Sequence, residues 1–94
     1  MPLSKHDKIA EMLAKKEKTT YNKGKGPDIL GRNRIIEVAT HESDVHSSVQ
    51  QLRGYRKPKY ISTLSELVEK AEEVTKGTHI GVMGPTGRIR KRAR

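Results

Sequence analysis

The fold of this chain is decided by residues 26–40, Gly26-Pro27-Asp28-Ile29-Leu30-Gly31-Arg32-Asn33-Arg34-Ile35-Ile36-Glu37-Val38-Ala39-Thr40. Two apolar runs flank a polar turn, and the second run is rich in β-branched residues, so the stretch predicts a hairpin that leads into a central strand. Asp28 and Glu37 are then expected on adjacent strands, close in space. A carboxylate in a buried strand is costly unless something pairs with it, and a hydrated divalent cation is one candidate partner.

The composition indicates one small domain. The 94 residues include 32% hydrophobic residues, with three Tyr and neither Phe nor Trp, which allows only a modest core. A homodimer would add buried surface to such a chain. There is no cysteine and no apolar run as long as a signal h-region or a membrane span. We therefore expect a soluble, cytoplasmic protein that does not enter the membrane.

The charge balance points to a polyanionic partner. Twenty Lys and Arg against eleven Asp and Glu give a formal net charge of +9. Nucleic acid is the first candidate for such a partner. A membrane surface is the weaker candidate, because the basic residues are spread along the chain and are not gathered on one amphipathic helix.

Hydrophobic periodicity predicts the first two helices. One covers residues 3–18, with Ile9 and Leu13 on its apolar face, and it is followed by a candidate short strand at residues 19–22. The second begins at the acidic residues 42–44 and ends near Gly54. Its apolar stripe consists of Val45, Val49, Leu52 and Tyr55.

The C-terminal half predicts further strands around a third helix. Residues 59–63 are a strand candidate, and Thr63 with Glu66 has the spacing of a capping box for a helix that ends at Gly77. Residues 78–83 predict another strand, and residues 84–87 a type I turn. A last strand could begin at Arg88, and beyond Ile89 we expect a solvated basic tail.

The element order predicts a single small α/β domain over residues 1–87, with a central mixed β-sheet flanked by helices, and a basic C-terminal tail over residues 88–94. Alternating strands and helices require right-handed crossovers, which bring the C-terminal ends of parallel strands to one edge of the sheet. Sites usually collect at that edge.

Three motifs in this order resemble those of the PD-(D/E)xK nuclease superfamily, which includes restriction endonucleases, archaeal Holliday-junction resolvases and RecB-type nucleases. Pro27-Asp28 resembles the PD signature, and residues 36–40 (IEVAT) resemble the strand that carries the second acid. Residues 51–55 (QLRGY) resemble the QxxxY motif of RecB-type members. The resemblance implies a restriction-endonuclease-like sandwich.

The resemblance also implies a metal-dependent deoxyribonuclease. It assigns Mg²⁺ or Mn²⁺ to Asp28 and Glu37, with Glu11 as a helix-borne third ligand, and makes Asp28, Glu37 and Gln51 the catalytic set. The lysine of the family, two residues after the second acid, is replaced here by Ala39. Since that lysine orients the attacking water and stabilises charge on the phosphate, its loss leaves both active and inactive proteins open. Basic residues that could substitute for it are Lys25, Lys57 and Lys59.

Each of these interpretations has a plainer alternative. Asp28 could be a turn residue and Glu37 the partner of a salt bridge, while Tyr55 could simply close the apolar stripe of the second helix. Glu11 could be a solvated helix residue. His41 and His46 are five residues apart, which does not suit a zinc pair on one helix face.

Basic side chains are the candidates for contact with a phosphate backbone, and few aromatic residues are present to stack on bases. We expect DNA to be favoured over RNA as the partner. The candidate nucleic-acid-binding residues are Lys23, Lys25, Arg53, Tyr55, Arg56, Lys57, Lys59, Arg88, Arg90, Lys91 and Arg92. A non-catalytic RNA- or ribosome-associated module is the main alternative, and a domain that binds acidic proteins is another.

Overall fold

The computed structural model of the protein describes residues 4–22 and 27–93. This part of the chain contains three α-helices, one 3₁₀ turn and five strands. In chain order they are α1 (Lys5–Lys16), β1 (Ile29–Leu30), β2 (Ile35–Ala39), α2 (Glu42–Leu52), β3 (Lys59–Thr63), the 3₁₀ turn (Ser65–Leu67), α3 (Val68–Val74), β4 (Gly81–Met83) and β5 (Ile89–Lys91).

The strands form one mixed sheet in the order β1-β2-β3-β4-β5. The central strands β2, β3 and β4 are parallel to one another, and the crossovers between them run through α2 and α3. The outer strands β1 and β5 pair antiparallel with β2 and β4. The predicted α/β class with a central mixed sheet is therefore confirmed.

Alternation along β2 divides the core between the two faces of the sheet. Ile35 and Ala39 pack with α2 and α3 on one face. Ile36 and Val38 pack with α1 on the other. Glu37, between them, shares the α2 face with Ile35 and Ala39, so a carboxyl group is carried into an otherwise apolar layer.

Several predicted elements have the expected bounds. The hairpin is present, since Ile29 pairs with Ile36 across it, and β3 covers the predicted residues 59–63. The 84–87 turn is closed by a hydrogen bond of 3.1 Å from the Gly87 nitrogen to the Gly84 oxygen. α1 is shorter than predicted, and the first of its predicted residues lies outside the described part of the chain.

Two local predictions are wrong, and the predicted end of α2 near Gly54 is close to the observed one. Residues 19–22 are not a strand, although the Asn22 nitrogen donates to the Asp28 oxygen at 2.7 Å. Thr63 does not cap the next helix, because its hydroxyl donates to the Ala39 oxygen at 2.7 Å and so ties β3 to the end of β2. α2 stops at Leu52, where Arg53 turns extended and Gly54 takes a φ of 92°. Positive φ at Gly54 ends the helix before Tyr55.

The last strand expected from Arg88 onwards is present as β5, so the predicted C-terminal tail is wrong for residues 89–91, which pair with β4 as the outer strand of the sheet. Gly81 allows this close approach, because a Cβ at that position would lie 2.6 Å from the Lys91 oxygen and 2.6 Å from the Ala93 nitrogen. These residues belong to the domain. Within residues 4–22 and 27–93, no helix has both the length and the apolar character needed to cross a membrane.

Candidate functional site

The hairpin places Asp28 opposite Glu37. Ile29 and Ile36 are paired, so the next residues outward on the two strands, Asp28 and Glu37, face each other. β1 begins only after Asp28, which leaves its carboxylate at the edge of the sheet, whereas Glu37 lies in the middle of β2 and is 6% exposed. The two acids that the sequence singled out are therefore neighbours.

Both acids line one cavity of about 290 Å³ together with Gln51. The structure therefore brings together the three residues that the family resemblance assigned to catalysis. The cavity lies between the hairpin, the beginning of α1 and one side of α2. Its lining is His6, Asp28, Glu37, Val38, Asp44, Ser47, Ser48 and Gln51. It lies along the flank of β2, not above the C-terminal ends of the parallel strands where the sequence predicted a site.

Asp28 is held by two contacts on the same oxygen. Its Oδ2 accepts the Val38 backbone N–H at 2.9 Å. The same oxygen lies 3.2 Å from His6 Nε2 at the beginning of α1. Asp28 therefore joins the edge of β2 to the first turn of α1.

A chain of polar contacts continues from His6 away from the cavity. His6 Nδ1 lies 3.1 Å from the Tyr21 hydroxyl, which donates to Asp7 Oδ1 at 3.0 Å. That hydrogen bond from Tyr21 lowers the pKa of the Asp7 carboxyl. Burial, together with the nearby carboxylates, raises the pKa of Tyr21 well above its usual range. Tyr21 therefore stays protonated and acts as a donor.

Glu37 is the buried member of the acid pair, and its pKa is raised. Burial first, and then hydrogen bonding and repulsion from Asp28, raise the pKa of Glu37 to about 9. Within the described part of the chain, its Oε2 atom is buried and has no hydrogen-bond partner. A pKa of about 9 favours the protonated carboxyl group at neutral pH, and one buried oxygen lacks a hydrogen-bond partner among the described residues.

Two neighbouring carboxyl groups are the type of ligand that a hard divalent cation prefers. Mg²⁺ is commonly held by one or two carboxylates, with water and substrate phosphate completing its shell, and the Glu37 carboxyl group, which has an unpaired Oε2, interacts with Asp28. Across residues 4–22 and 27–93, however, no group of three or more His, Asp or Glu side chains could hold a metal ion. Glu11 lies in α1 outside the lining of the cavity.

Of the lysines that could substitute for the one replaced by Ala39, the two that the structure describes do not line the cavity with the acid pair. Ala39 is fully buried in the apolar layer under α2. Lys57 donates to the Gly31 oxygen at 3.3 Å, and Lys59 donates to the Tyr55 oxygen at 2.7 Å. Lys25 lies outside the described residues. His6 is the basic side chain in the cavity lining.

A second feature is a basic surface at the N-terminal ends of the parallel strands. Arg53 and Lys59 line a cavity of about 220 Å³ at the beginning of β3. Arg92 lines a cavity of about 370 Å³, and the two cavities share Thr78 and His79 in front of β4. Two basic clusters that are far apart in sequence thus meet at the N-terminal edge of the parallel strands. We call Arg53, Lys59, His79 and Arg92 the basic edge.

The other predicted nucleic-acid contacts are placed less uniformly. Arg56 and Lys57 are exposed in the loop that leads to the basic edge, and Arg88 and Arg90 are exposed along β5. Lys91 instead turns inward, where its Nζ donates to the Thr75 and Ile80 backbone oxygens at 2.7 and 3.0 Å. Lys23 and Lys25 lie outside the described residues.

Tyr55 and Gln51, which the QLRGY motif spaces four residues apart, do not share a helical face, because α2 ends at Leu52. Tyr55 follows the end of α2 and is 37% exposed, beside Arg53 and Arg56 in sequence. It neither reaches the cavity lining nor closes the apolar stripe of α2. Of the QxxxY motif, only the glutamine lies with the acid pair.

Sequence reasoning missed several residues of these two features. Asp44, Ser47 and Ser48 lie on the face of α2 that also carries the predicted Gln51, and that spacing was available as a signal. His6 gave no such signal, because it is 22 positions from Asp28 and reaches it only through the packing of α1. His79 was likewise not assigned to the basic edge.

The fold and the cavity define a small α/β protein with an acid pair on one hairpin and a basic edge across the sheet. No protein family model matches the chain, and no curated protein or solved structure matches it either.

Proposed function

We propose that this chain is a DNA-binding protein of PD-(D/E)xK nuclease-like fold, which contacts the phosphate backbone through its basic edge. The observation that carries the proposal is the meeting of Arg53 and Lys59 with Arg92 around His79 at one edge of the sheet. The formal net charge of +9 supports it.

The position of the basic edge supports backbone contact more than reading of bases. The side chains are exposed or half-exposed and surround shallow cavities, which suits phosphate oxygens that protrude from a duplex. DNA and RNA both present a negatively charged phosphate backbone, so charge alone does not distinguish them. The preference for DNA over RNA therefore rests on the family resemblance.

The test is anisotropy of a labelled DNA duplex over a series of salt concentrations. We expect the double variant Arg53→Gln/Arg92→Gln to lower the slope of log K against log salt by about two, roughly one for each lost phosphate contact. The matched control is Lys8→Gln/Lys15→Gln, which removes two exposed charges from α1.

An equal loss of affinity in both double variants would overturn the assignment of the basic edge. Competition with structured RNA at fixed salt tests the choice of partner. A strong preference for RNA would replace DNA with the RNA-associated alternative.

A second candidate function is divalent-metal phosphodiester hydrolysis, favoured by the joint placement of Asp28, Glu37 and Gln51 in one cavity. Asp28 and Glu37 would hold Mg²⁺ or Mn²⁺, which when bound supplies Lewis-acid polarisation of a phosphate and a water of lowered pKa. Gln51 would orient the substrate or a water. We rank hydrolysis second because neither lysine nor arginine is among the described residues that line the cavity.

Hydrolysis is tested with labelled branched, single-stranded and duplex DNA in Mg²⁺ or Mn²⁺. Cleavage that is lost in Asp28→Asn would establish it, and cleavage unchanged by that substitution would be a contaminant. Metal binding has its own readout. We expect saturating Mn²⁺ to raise the Tm of the unchanged protein and not that of Asp28→Asn, since binding to the folded state alone stabilises it.

A further inference from the structure

A second basic cleft lies at the tip of the hairpin, and its lining residues are different from those of the basic edge. It has a volume of about 420 Å³ between the end of α1 and the turn that joins β1 to β2. Its lining residues are Lys16, Glu17, Lys18, Arg32 and Asn33. The acid pair occupies the other end of the same hairpin, so the cleft and the cavity are joined by β1 and β2.

The cleft carries an excess of positive charge. Its acidic residue, Glu17, is engaged by Arg34 in a two-pronged ion pair with distances of 2.8 and 3.0 Å. Lys16, Lys18 and Arg32 are exposed, and Asn33 adds an exposed side-chain amide. Lys16 is also fixed in direction, because its Nζ donates to the Thr86 oxygen at 2.5 Å. Three cations and an amide surround a space whose carboxylate is already neutralised.

Lys18 supplies the observation that points to a ligand. It has a φ of 55°, the left-handed region that favours glycine. Its nitrogen donates to the Lys15 oxygen at 3.1 Å, and the Thr19 nitrogen donates to the Ala14 oxygen at 2.9 Å. These two bonds form a Schellman motif, and Lys18 occupies the position in it where glycine is strongly preferred. A lysine held in that conformation costs stability and contributes a charge to the cleft.

We propose that this cleft binds a phosphoryl group and that Lys18 is held at positive φ to contact it. This proposal rests on the proposed function, because the phosphoryl group that the cleft binds is a phosphate of the bound DNA strand. A strand held there lies at one end of the hairpin that presents Asp28 and Glu37 at its other end. Guanidinium, ammonium and amide groups together are the donors that phosphate oxygens take.

The first experiment titrates the ¹⁵N-labelled protein with inorganic phosphate and then with a short single-stranded oligonucleotide. We expect saturable shifts of the Lys18, Arg32 and Asn33 amides with at least one of the two probes. A response to inorganic phosphate means that the phosphoryl group suffices, and a response to the oligonucleotide alone means that the strand is required. Absence of saturable shifts at these amides with both probes would overturn the proposal.

The second experiment uses Lys18→Gly, which removes the charge and relieves the backbone. We expect the Tm to stay equal or rise by up to about 4 °C, while oligonucleotide affinity at 0.15 M salt falls by about fivefold, as for one lost phosphate contact. The control Lys15→Gln removes an exposed charge three positions earlier, outside the cleft lining. A merely structural lysine would show the Tm change without the loss of affinity.

The outcomes separate the cleft from the basic edge. If DNA binds but Lys18→Gly and Arg32→Gln lose no more affinity than Lys15→Gln, the cleft proposal fails and the proposed function stands. If no DNA binds, the proposed function fails, and the cleft is then decided by inorganic phosphate alone.

Discussion

Asp28 Oδ2 accepts the backbone N–H of Val38 at 2.9 Å, one residue before β1 begins to pair with β2. The carboxylate therefore stands in for a main-chain acceptor at the edge of the sheet. Because of this contact, Asp28 stabilises the fold whether or not it also holds a metal ion.

This contact predicts that two substitutions of Asp28 differ in stability. Asparagine keeps a side-chain oxygen for the Val38 N–H, whereas alanine leaves that donor without its acceptor. We expect Asp28→Ala to lower the free energy of unfolding by about 1 to 2 kcal/mol more than Asp28→Asn. Urea unfolding curves measure the difference. Because it is expected to keep more of the stability, Asp28→Asn is the sounder variant for a cleavage assay. Equal midpoints for the two variants would mean that the Val38 contact contributes nothing.

Glu37 predicts a pH dependence of stability. Its pKa rises from an ordinary value of 4.5 to about 9 in the folded protein, mainly through burial. Between these values the unfolded chain has lost the proton and the folded chain keeps it, so unfolding releases a proton and a rise in pH favours unfolding. The contribution of Glu37 is thus fully present below pH 4.5 and is lost as the pH rises towards 9, by at most about 1.4 kcal/mol per pH unit.

Glu37→Gln is the comparison that isolates this effect, because a neutral amide resembles the protonated carboxyl. Thermal melts at pH 5, 6, 7 and 8 should show the unchanged protein losing stability relative to Glu37→Gln as the pH increases. A constant difference between the two proteins across this range would show that Glu37 titrates normally.

Lys91 is predicted to act in the fold more than in binding. Its ammonium group donates to the Thr75 and Ile80 oxygens, beneath the outer strand. We expect Lys91→Met to lower the free energy of unfolding by about 1.5 to 3 kcal/mol, the range for hydrogen bonds to charged groups. Arg90→Met, on the same strand with its side chain exposed, should change it by less than about 0.5 kcal/mol. Chemical denaturation compares them, and similar stability of the two variants would contradict an internal role for Lys91.

Gly81 tests whether the C-terminal residues belong to the sheet. A Cβ there would meet the Tyr60 ring and two backbone atoms, the Lys91 oxygen and the Ala93 nitrogen, and the backbone atoms cannot move without separating β5 from β4. We expect Gly81→Ala to cost about 1 to 3 kcal/mol, as overpacking does, and to lower the Tm accordingly. Amide exchange of residues 89–91 gives a second readout. If these residues exchange as fast as an unstructured segment in the unchanged protein, the strand pairing is refuted.

Local patterns were sufficient for much of this fold. β-branched residues around Glu37 predicted the central strand, and turn residues at 31–33 predicted the hairpin, because both depend on neighbours in sequence. The antiparallel pairing then follows from the short turn, which is why the sequence could place Asp28 beside Glu37. Gln51 lies on the face of α2 that lines the same cavity.

Other features depended on contacts that no local pattern contains. Thr63 has the spacing of a capping residue, but its hydroxyl finds the Ala39 oxygen 24 positions earlier, because β3 lies beside β2. Tyr55 continues the apolar spacing of α2, but the chain turns at Gly54 before the helix can include it. Whether a side chain contacts a neighbour in sequence or a residue far along the chain therefore depends on how the helices and strands pack.

Composition and periodicity alone thus account for a small, basic α/β domain with two acids on one hairpin, since charge, turn chemistry and side-chain alternation are properties of short stretches. Only the tertiary structure placed His6 against Asp28, gathered Arg53, Lys59 and Arg92 around His79, and extended the last strand to Lys91 beside β4. These contacts join elements that are far apart along the chain, and they form because the faces of the sheet must be covered and its edges paired.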